Sequence, residues 1–460
     1  DAAKPPAYMD WAKPDLTLVF TGDQHGYLEP CGCTGLDRQK GGVARRFTFL
    51  KGLRDRGWEL APLDVGNQVR RFGVQAETKL RRTIEALNEM GYVTTGIGPD
   101  DVELGFQLLG AAQDIPLTSA NVVLYAEEYS QPVTLIEKGG QRVAVSALLD
   151  PKSLNSDPSE DIVVGELKAS AAKVAASGEV KTADFSVMMF YGDEDKAKQL
   201  MVDVPGFDLW VVSGGYGEPT FEPMKVEGTA SRMILTGNKG MYAGLVGLSR
   251  NADFKYARVP LTHEFADAPE MRRLMADYQN ELKQVGLEGL GLLPATPHLS
   301  GDKFVGSQTC GKCHTSAMEV WENSMHALAT DDIVQPPEGR GDVARHFDPE
   351  CLSCHVTGWN PQNYYPYESG YVSLEKSKPL VGNGCENCHG PGAAHSAAEM
   401  KGSGVAAEEI ARLREAMKLP LSRAKEKCLE CHDLDNSPDF HEPGAFEDVY
   451  WPEVEHYGKD

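Results

Sequence analysis

No stretch of these 460 residues is apolar for the roughly 18 to 20 positions that a membrane-spanning helix needs. Positive charge is scarce as well: 45 Lys and Arg stand against 68 Asp and Glu, for a net charge of −23. Such a surface repels nucleic acid and anionic lipid, and it favours basic or metal-bearing partners. The plainer reading, that the charge only confers solubility, holds for most acidic proteins. With 47 Gly, 28 Pro and 41% hydrophobic residues, the composition is neither collagen-like nor that of a disordered chain. No leader sequence is visible, and Asp1 opens in a polar stretch, which suits a processed export product as well as a cytosolic one. Cysteine is nearly missing from the first two thirds: only Cys31 and Cys33 precede Cys310.

A chain of this length is expected to form two or three domains. Residues 1–15 form a Pro/Ala-rich arm. From Leu16, short β-branched runs (Leu16 to Phe20, Tyr92 to Thr95, Arg142 to Leu148, Phe185 to Phe190, Leu209 to Val212, Met233 to Leu235) alternate with amphipathic stretches such as Glu77 to Met90. That alternation predicts a layered α/β domain over 16–264. Met271, Leu274, Met275, Tyr278, Leu282 and Val285 recur at helical spacing, and Pro294, Pro297 and Gly301 follow. Residues 265–303 are therefore expected to be a connecting helix and a linker. Over 304–460 strand patterns thin out, and a mainly helical domain is expected, with helices over Thr315 to Thr330 and Ala406 to Met417.

The other eight cysteines fall into four Cys-x-x-Cys-His units: Cys310, Cys313 and His314; Cys351, Cys354 and His355; Cys385, Cys388 and His389; Cys428, Cys431 and His432. Two thiols three positions apart can add to the two vinyl groups of one haem, and the adjoining imidazole then reaches the iron. One copy would serve equally as a zinc half-site or a redox pair. Four copies, each with its His, predict four covalently bound haem c groups that supply the apolar core of the domain. Haem of this type is attached after export, so a periplasmic, extracellular or cell-surface location is expected. Each iron needs a second axial ligand or stays open. The distal candidates are His326, His395, His346, His441, His456 and His298. Met318, Met325, Met400 and Met417 are weaker ones, because methionine is more often packing than ligand.

Residues 304–456 resemble the tetrahaem cytochromes c that accept electrons from hydroxylamine oxidoreductase, and the wider multihaem group. The likeness rests on Cys310 to Ala329, Cys351 to Gly358 and Lys378 to Gly392 with His395 behind it. It implies that His326 and His395 serve as distal ligands to other haems, and that the haem of the second motif is five-coordinate. It falters beyond Ser437, where His441 and His456 compete for the fourth haem.

Residues 16–264 resemble the catalytic domain of the 5′-nucleotidase group of calcineurin-like phosphoesterases, a metallophosphoesterase sandwich. The matching stretches are Thr21 to Gly26, with Asp23 and His25 as an Asp-x-His pair, Gly41 to Arg46, Ala120 to Val122 and Thr236 to Gly240. Such enzymes clamp two metals between about seven ligands. Here Asn67 stands where the bridging Asp belongs, Pro99, Asp100 and Asp101 replace Asn-His-Glu, a later His falls near Phe190 or Tyr191, and Gly214 to Gly217 has no His. The resemblance therefore implies the fold without phosphoesterase activity. Cys31 and Cys33 have three readings: a short disulfide, idle thiols, or, with Asp23 and His25, a site for an additional soft metal ion such as zinc or copper.

The expected function is electron transfer between redox partner proteins, with the first domain as a docking or assembly platform. The rivals are an oxidoreductase acting on a small nitrogen or sulfur compound at an open haem, and a homo-oligomer stacking haems into a conducting filament.

Overall fold

The computed structural model describes residues 7–30, 35–215, 218–336 and 343–457. They form two compact units. One comprises the chain up to Pro30 together with Gln39–Met275; the other comprises the chain from Ala276 onward and the short segment ending at Arg38.

The first unit is built on strands whose sequences are apolar at nearly every position. Leu16–Thr21 is buried throughout, as a strand covered on both faces must be. It is the middle strand of a five-stranded sheet ordered Lys255–Pro260, Tyr242–Leu248, Leu16–Thr21, Leu60–Asp64, Thr94–Thr95. A second sheet of six strands runs Met224–Lys225, Arg232–Leu235, Leu209–Ser213, Phe185–Tyr191, Gln141–Leu149, Thr134–Lys138. Its inner ladders are parallel, and parallel neighbours need crossovers. The helices Leu167–Ala175 and Glu194–Asp203 supply two of them. Asp193 starts the second helix by accepting from the N–H groups of Asp195 and Lys196. Leu167, Ala171 and Val174 of one helix and Ala197, Leu200 and Met201 of the other pack with Phe190 and Trp210 of the sheet. The sheets approach each other over small residues: a Cβ on Gly96 would lie 3.5 Å from Ala147, and one on Gly244 3.9 Å from Ile234.

Two strands carry weak β signals in the sequence. Leu60–Asp64 contains Pro62, which has no N–H for a ladder, yet its carbonyl accepts from Val93. Tyr242–Leu248 contains Gly244 and Gly247. A Cβ on Gly247 would stand 3.0 Å from Pro14 and 3.1 Å from Trp11, so the close approach of that N-terminal segment demands glycine.

The helix Pro269–Gly289 buries Met271, Leu274, Met275, Tyr278 and Leu282, as their spacing predicts, and is interrupted at Gly286, whose φ is 64°. In the second unit the single helix expected over Thr315 to Thr330 is two, Thr315–Glu322 and Met325–Val334. The break falls where Ser324 is extended and its hydroxyl bonds back to the Trp321 carbonyl. Two small apolar clusters hold this unit: Phe304, Ile333, Leu352, Val356, Trp359, Tyr371 and Leu380, and then Ala424, Phe440 and Phe446. Among the described residues no helix is long and apolar enough to cross a membrane.

Gly247→Val should lower the stability of the chain by about 1 to 3 kcal/mol, the usual cost of forcing volume into a packed site. Thermal unfolding measures it. An unchanged midpoint would show that Trp11 and Pro14 simply move aside.

Candidate functional sites

In the second unit the four motifs sit on short helical turns. Cys310 ends the helix Ser307–Cys310, and His314 is the N-cap of Thr315–Glu322. Cys351, Cys354 and His355 lie on Pro349–His355, which Asp348 caps by accepting from the Glu350 N–H. The third motif is itself the helix Cys385–His389, and Cys428 ends the helix Leu421–Cys428. One helical turn puts the two thiols of a motif on one side, with the imidazole just beyond. The eight motif cysteines are partly exposed. The Cys310 thiol lies near enough to that of Cys385 to influence its ionisation, and Cys354 to that of Cys431. Motifs one and three, and motifs two and four, therefore meet at their attachment points.

The histidines come together across the chain. His314 faces His395 with ring centres 6.4 Å apart, His432 faces His326 at 6.1 Å, and His389 faces His456 at 5.7 Å. Two imidazoles on opposite sides of one metal, each bonded at about 2.0 Å, put their ring centres roughly 6 Å apart. These three gaps therefore fit an iron with two axial imidazoles. The outer nitrogens are anchored as metal-binding imidazoles require: His389 Nδ1 pairs with the Met417 carbonyl at 2.8 Å, His432 Nδ1 with Ser437 Oγ at 2.9 Å, His456 Nδ1 with the Val454 carbonyl at 2.8 Å, and His355 Nδ1 with the Ala329 carbonyl at 2.5 Å. Burial holds the His326 and His389 imidazoles below their ordinary pKa, which keeps them in the neutral form that ligates.

Among the described residues, the remaining candidates make no ring contact with a motif histidine. His441 pairs its Nε2 with the carbonyl of His432 at 2.9 Å. His298 bonds Ser300 and packs on Tyr367. His346 lies 4.0 Å from the Phe347 ring, ring centre to ring centre. Of the two histidines that compete for the fourth motif on sequence, His456 faces the third motif's His389 instead, and it is His326 that faces the fourth motif's His432.

One positioning residue has no sequence signal, because it occupies a variable place inside a motif. Glu386 is 2% exposed and accepts from the backbone N–H groups of Val305, Gly306 and Gly392. It ties the third motif to the segment leading into the first. Burial raises its pKa, and the three N–H groups oppose the rise.

In the first unit, the residues of the Asp-x-His stretch bond to each other and to their neighbours. Asp23 Oδ1 is 2.7 Å from His25 Nε2, accepts from Asn67 Nδ2 at 2.8 Å and from the Tyr191 hydroxyl at 3.1 Å. Burial works to raise the Asp23 pKa, but His25, Asn67 and Tyr191 outweigh it and hold the carboxyl below its ordinary value. Asp101, fully buried, accepts from the N–H groups of Asn67, Gln68 and Gly98. Asp64 accepts from Thr21, Gln24 and Gln68. Among the described residues no group of three or more His, Cys, Asp and Glu could hold a metal. Cys31 and Cys33, and with them the proposed soft-metal site, lie outside the described residues, as do Tyr216 and Gly217.

Comparison with known proteins bears on both units. Residues 309–390, which hold the first three motifs, match the family model for cytochrome c554 and c-prime. Cytochrome c-554 of Nitrosomonas europaea is 32% identical over 98 residues, 19% of this chain and 39% of its own length. A snake venom 5′-nucleotidase from Gloydius brevicauda is 27% identical over 223 residues, 44% of this chain and 37% of its own. The chain thus spans under two fifths of each of these curated relatives. Among solved structures, a 5′-nucleotidase precursor from Thermus thermophilus superposes with a TM-score of 0.50 at 18% identity, covering 69% of this chain and 66% of that one. The sulfate thiohydrolase SoxB of the same organism gives 0.51 at 15% identity, covering 60% and 62%. The C-terminal region resembles the cytochromes c554, whose family binds haem c covalently, and the N-terminal unit has the 5′-nucleotidase fold.

Glu386→Gln replaces an accepting oxygen by a donor facing backbone N–H groups. It should destabilise the chain by about 1 to 3 kcal/mol, the cost of leaving buried polar groups unpaired. Thermal unfolding followed at the haem absorption band measures this, and a wild-type midpoint would remove Glu386 from the frame.

Proposed function

We propose that the chain is a tetrahaem c-type cytochrome that transfers electrons outside the cytoplasm, with the first unit acting as a docking or assembly platform and not as a phosphoesterase. The reading is carried by the three imidazole pairs, each joining one motif histidine to a histidine from elsewhere in the unit. Cys310 with Cys313, Cys351 with Cys354, Cys385 with Cys388 and Cys428 with Cys431 hold the four haems, and His314, His355, His389 and His432 are their proximal ligands. His395, His456 and His326 are the distal ligands on the first, third and fourth. Haem iron so bound accepts and releases single electrons without changing ligands. The residues do the rest: they fix the attachment points of motifs one and three, and of two and four, beside each other, and they hold the His355, His389, His432 and His456 imidazoles through Nδ1. The location follows from post-export haem attachment and suits the acidic surface. In the first unit the groups that would clamp two metals are bonded to one another, which supports a fold retained without its hydrolytic chemistry.

Denaturing mass spectrometry of the matured protein should show the polypeptide plus four haem masses; three or fewer would overturn the count. Replacing His326 or His456 by Ala should convert one low-spin signal to high-spin in the electron paramagnetic resonance spectrum. An unaltered spectrum for either would overturn that ligand.

The holoprotein incubated with manganese or zinc and a model phosphate ester should show no turnover. Hydrolysis that vanishes in Asp23→Asn would overturn the reading of the first unit.

A further inference from the structure

One part of the first unit combines exposed aromatic rings with exposed carboxylates. Phe106 is 73% exposed, Tyr125 42%, Tyr129 48% and Val163 58%. The rings of Phe106 and Tyr125 meet edge to face at 6.2 Å. Gly105, beside Phe106, sits against both Ile162 and Tyr125, and a Cβ there would be 2.9 Å from Ile162. Val163 is brought in by the pairing of Ile162–Val164 with Val122–Leu124, and the Tyr125 N–H donates to the Asp161 carbonyl. Single exposed apolar side chains are ordinary. Aromatic side chains that touch each other and still face water are the composition of an interface centre.

Exposed carboxylates lie on the same segments. Residues 83–137 contain no Lys, Arg or His and nine carboxylates, of which Asp100 and Asp101 are buried and Glu85 and Glu89 pair with Arg273, and residues 153–167 contain four carboxylates and again no basic residue. Glu103, Glu127, Glu128, Glu160 and Asp161 are all exposed. Of the cations bracketing these stretches, Arg82 pairs with Glu85, Lys138 with Glu59 and Lys168 with Asp203, leaving Lys152. We propose that this surface docks a basic protein whose Lys and Arg side chains ring an apolar centre. The proposal rests on the reading of the first unit as a platform and gives that platform its partner chemistry. The carboxylates draw the partner in and set its orientation, while Phe106, Tyr125 and Val163 supply the contact that holds it. Nucleic acid and anionic lipid are repelled by the same carboxylates.

The test uses the whole holoprotein, with a small lysine-rich monohaem cytochrome c as the probe and titration calorimetry and stopped-flow at low and physiological salt. Glu127→Gln with Glu128→Gln should slow association and weaken binding at least fivefold at low salt. Phe106→Ser with Tyr125→Ser should weaken it at least fivefold through faster dissociation at either salt. Glu222→Gln with Glu227→Gln, which removes the same charge from exposed positions elsewhere on this unit, should leave affinity within twofold. Unchanged haem spectra and melting midpoints establish that each variant is folded. If the control pair weakens binding as much as the Glu127 pair does, or the Phe106 pair has no effect, the acidic chain attracts the probe without a site and the proposal fails. If the probe does not bind at low salt, the proposal also fails. The platform reading stands or falls separately, on whether the first unit cross-links to any native partner.

Discussion

The second unit depends on imidazoles that meet in pairs across a gap wide enough for one metal atom. Each pair joins segments far apart in the chain: His314 with His395, His326 with His432, His389 with His456. The protein's own apolar clusters there are small, one of them centred on Ala424, Phe440 and Phe446. A core of that size closes little of the entropy of ordering a region with so little regular structure. The surrounding structure instead brings these imidazoles together from separate segments. The helix break at Ser324 serves that end, since it separates His326 from the helix that follows His314.

The first unit meets a related demand by different means. A dimetal centre binds the ends of several strands together through coordinate bonds. Here hydrogen bonds span the corresponding loops. The Asn67 side chain donates from Nδ2 to Asp23 and accepts at Oδ1 from the Asp100 N–H, while its backbone N–H donates to Asp101. Asp23, His25 and Asn67 all hold positive φ, a conformation that costs non-glycine residues of order 1 kcal/mol each. The network of Asp23, Asp64 and Asp101 offsets that strain. Hydrogen bonds to Asp23, Asp64 and Asp101 thus hold these strand-end loops in that backbone shape.

The four motifs, the β-branched strands such as Leu16–Thr21 and Phe185–Tyr191, and the buried stripe of the helix Pro269–Gly289 were legible because each is a local pattern with a fixed period. His326 and His395 were singled out among the spare histidines only through likeness to a family, and the structure places each opposite a motif histidine. Which imidazole meets which was not legible, because a pairing such as His432 with His326 is decided by tertiary packing and leaves no spacing behind. His441, next to Phe440 and near the fourth motif in sequence, is the nearer candidate by position, yet its Nε2 is taken by a backbone carbonyl. Pro62 and Gly247 hid two strands for the opposite reason: local propensity argued against a strand, and burial on both faces overrode it.

Glu386 shows how far the motif itself is a structural element. Its neighbours Cys385 and Cys388 are set by haem chemistry, and the residues between them are free by that chemistry alone. The fold uses one of those free positions to bring a carboxylate onto three backbone N–H groups from two other segments. A neutral side chain could accept from one or two of them; a carboxylate has the lone pairs for all three. The cost of burying it is met by those charge-assisted bonds. Motif three is thereby fixed against the lead-in to motif one, the same two motifs whose thiols meet at Cys310 and Cys385. The order of the attachment points is therefore held by the polypeptide as well as by the groups attached to it.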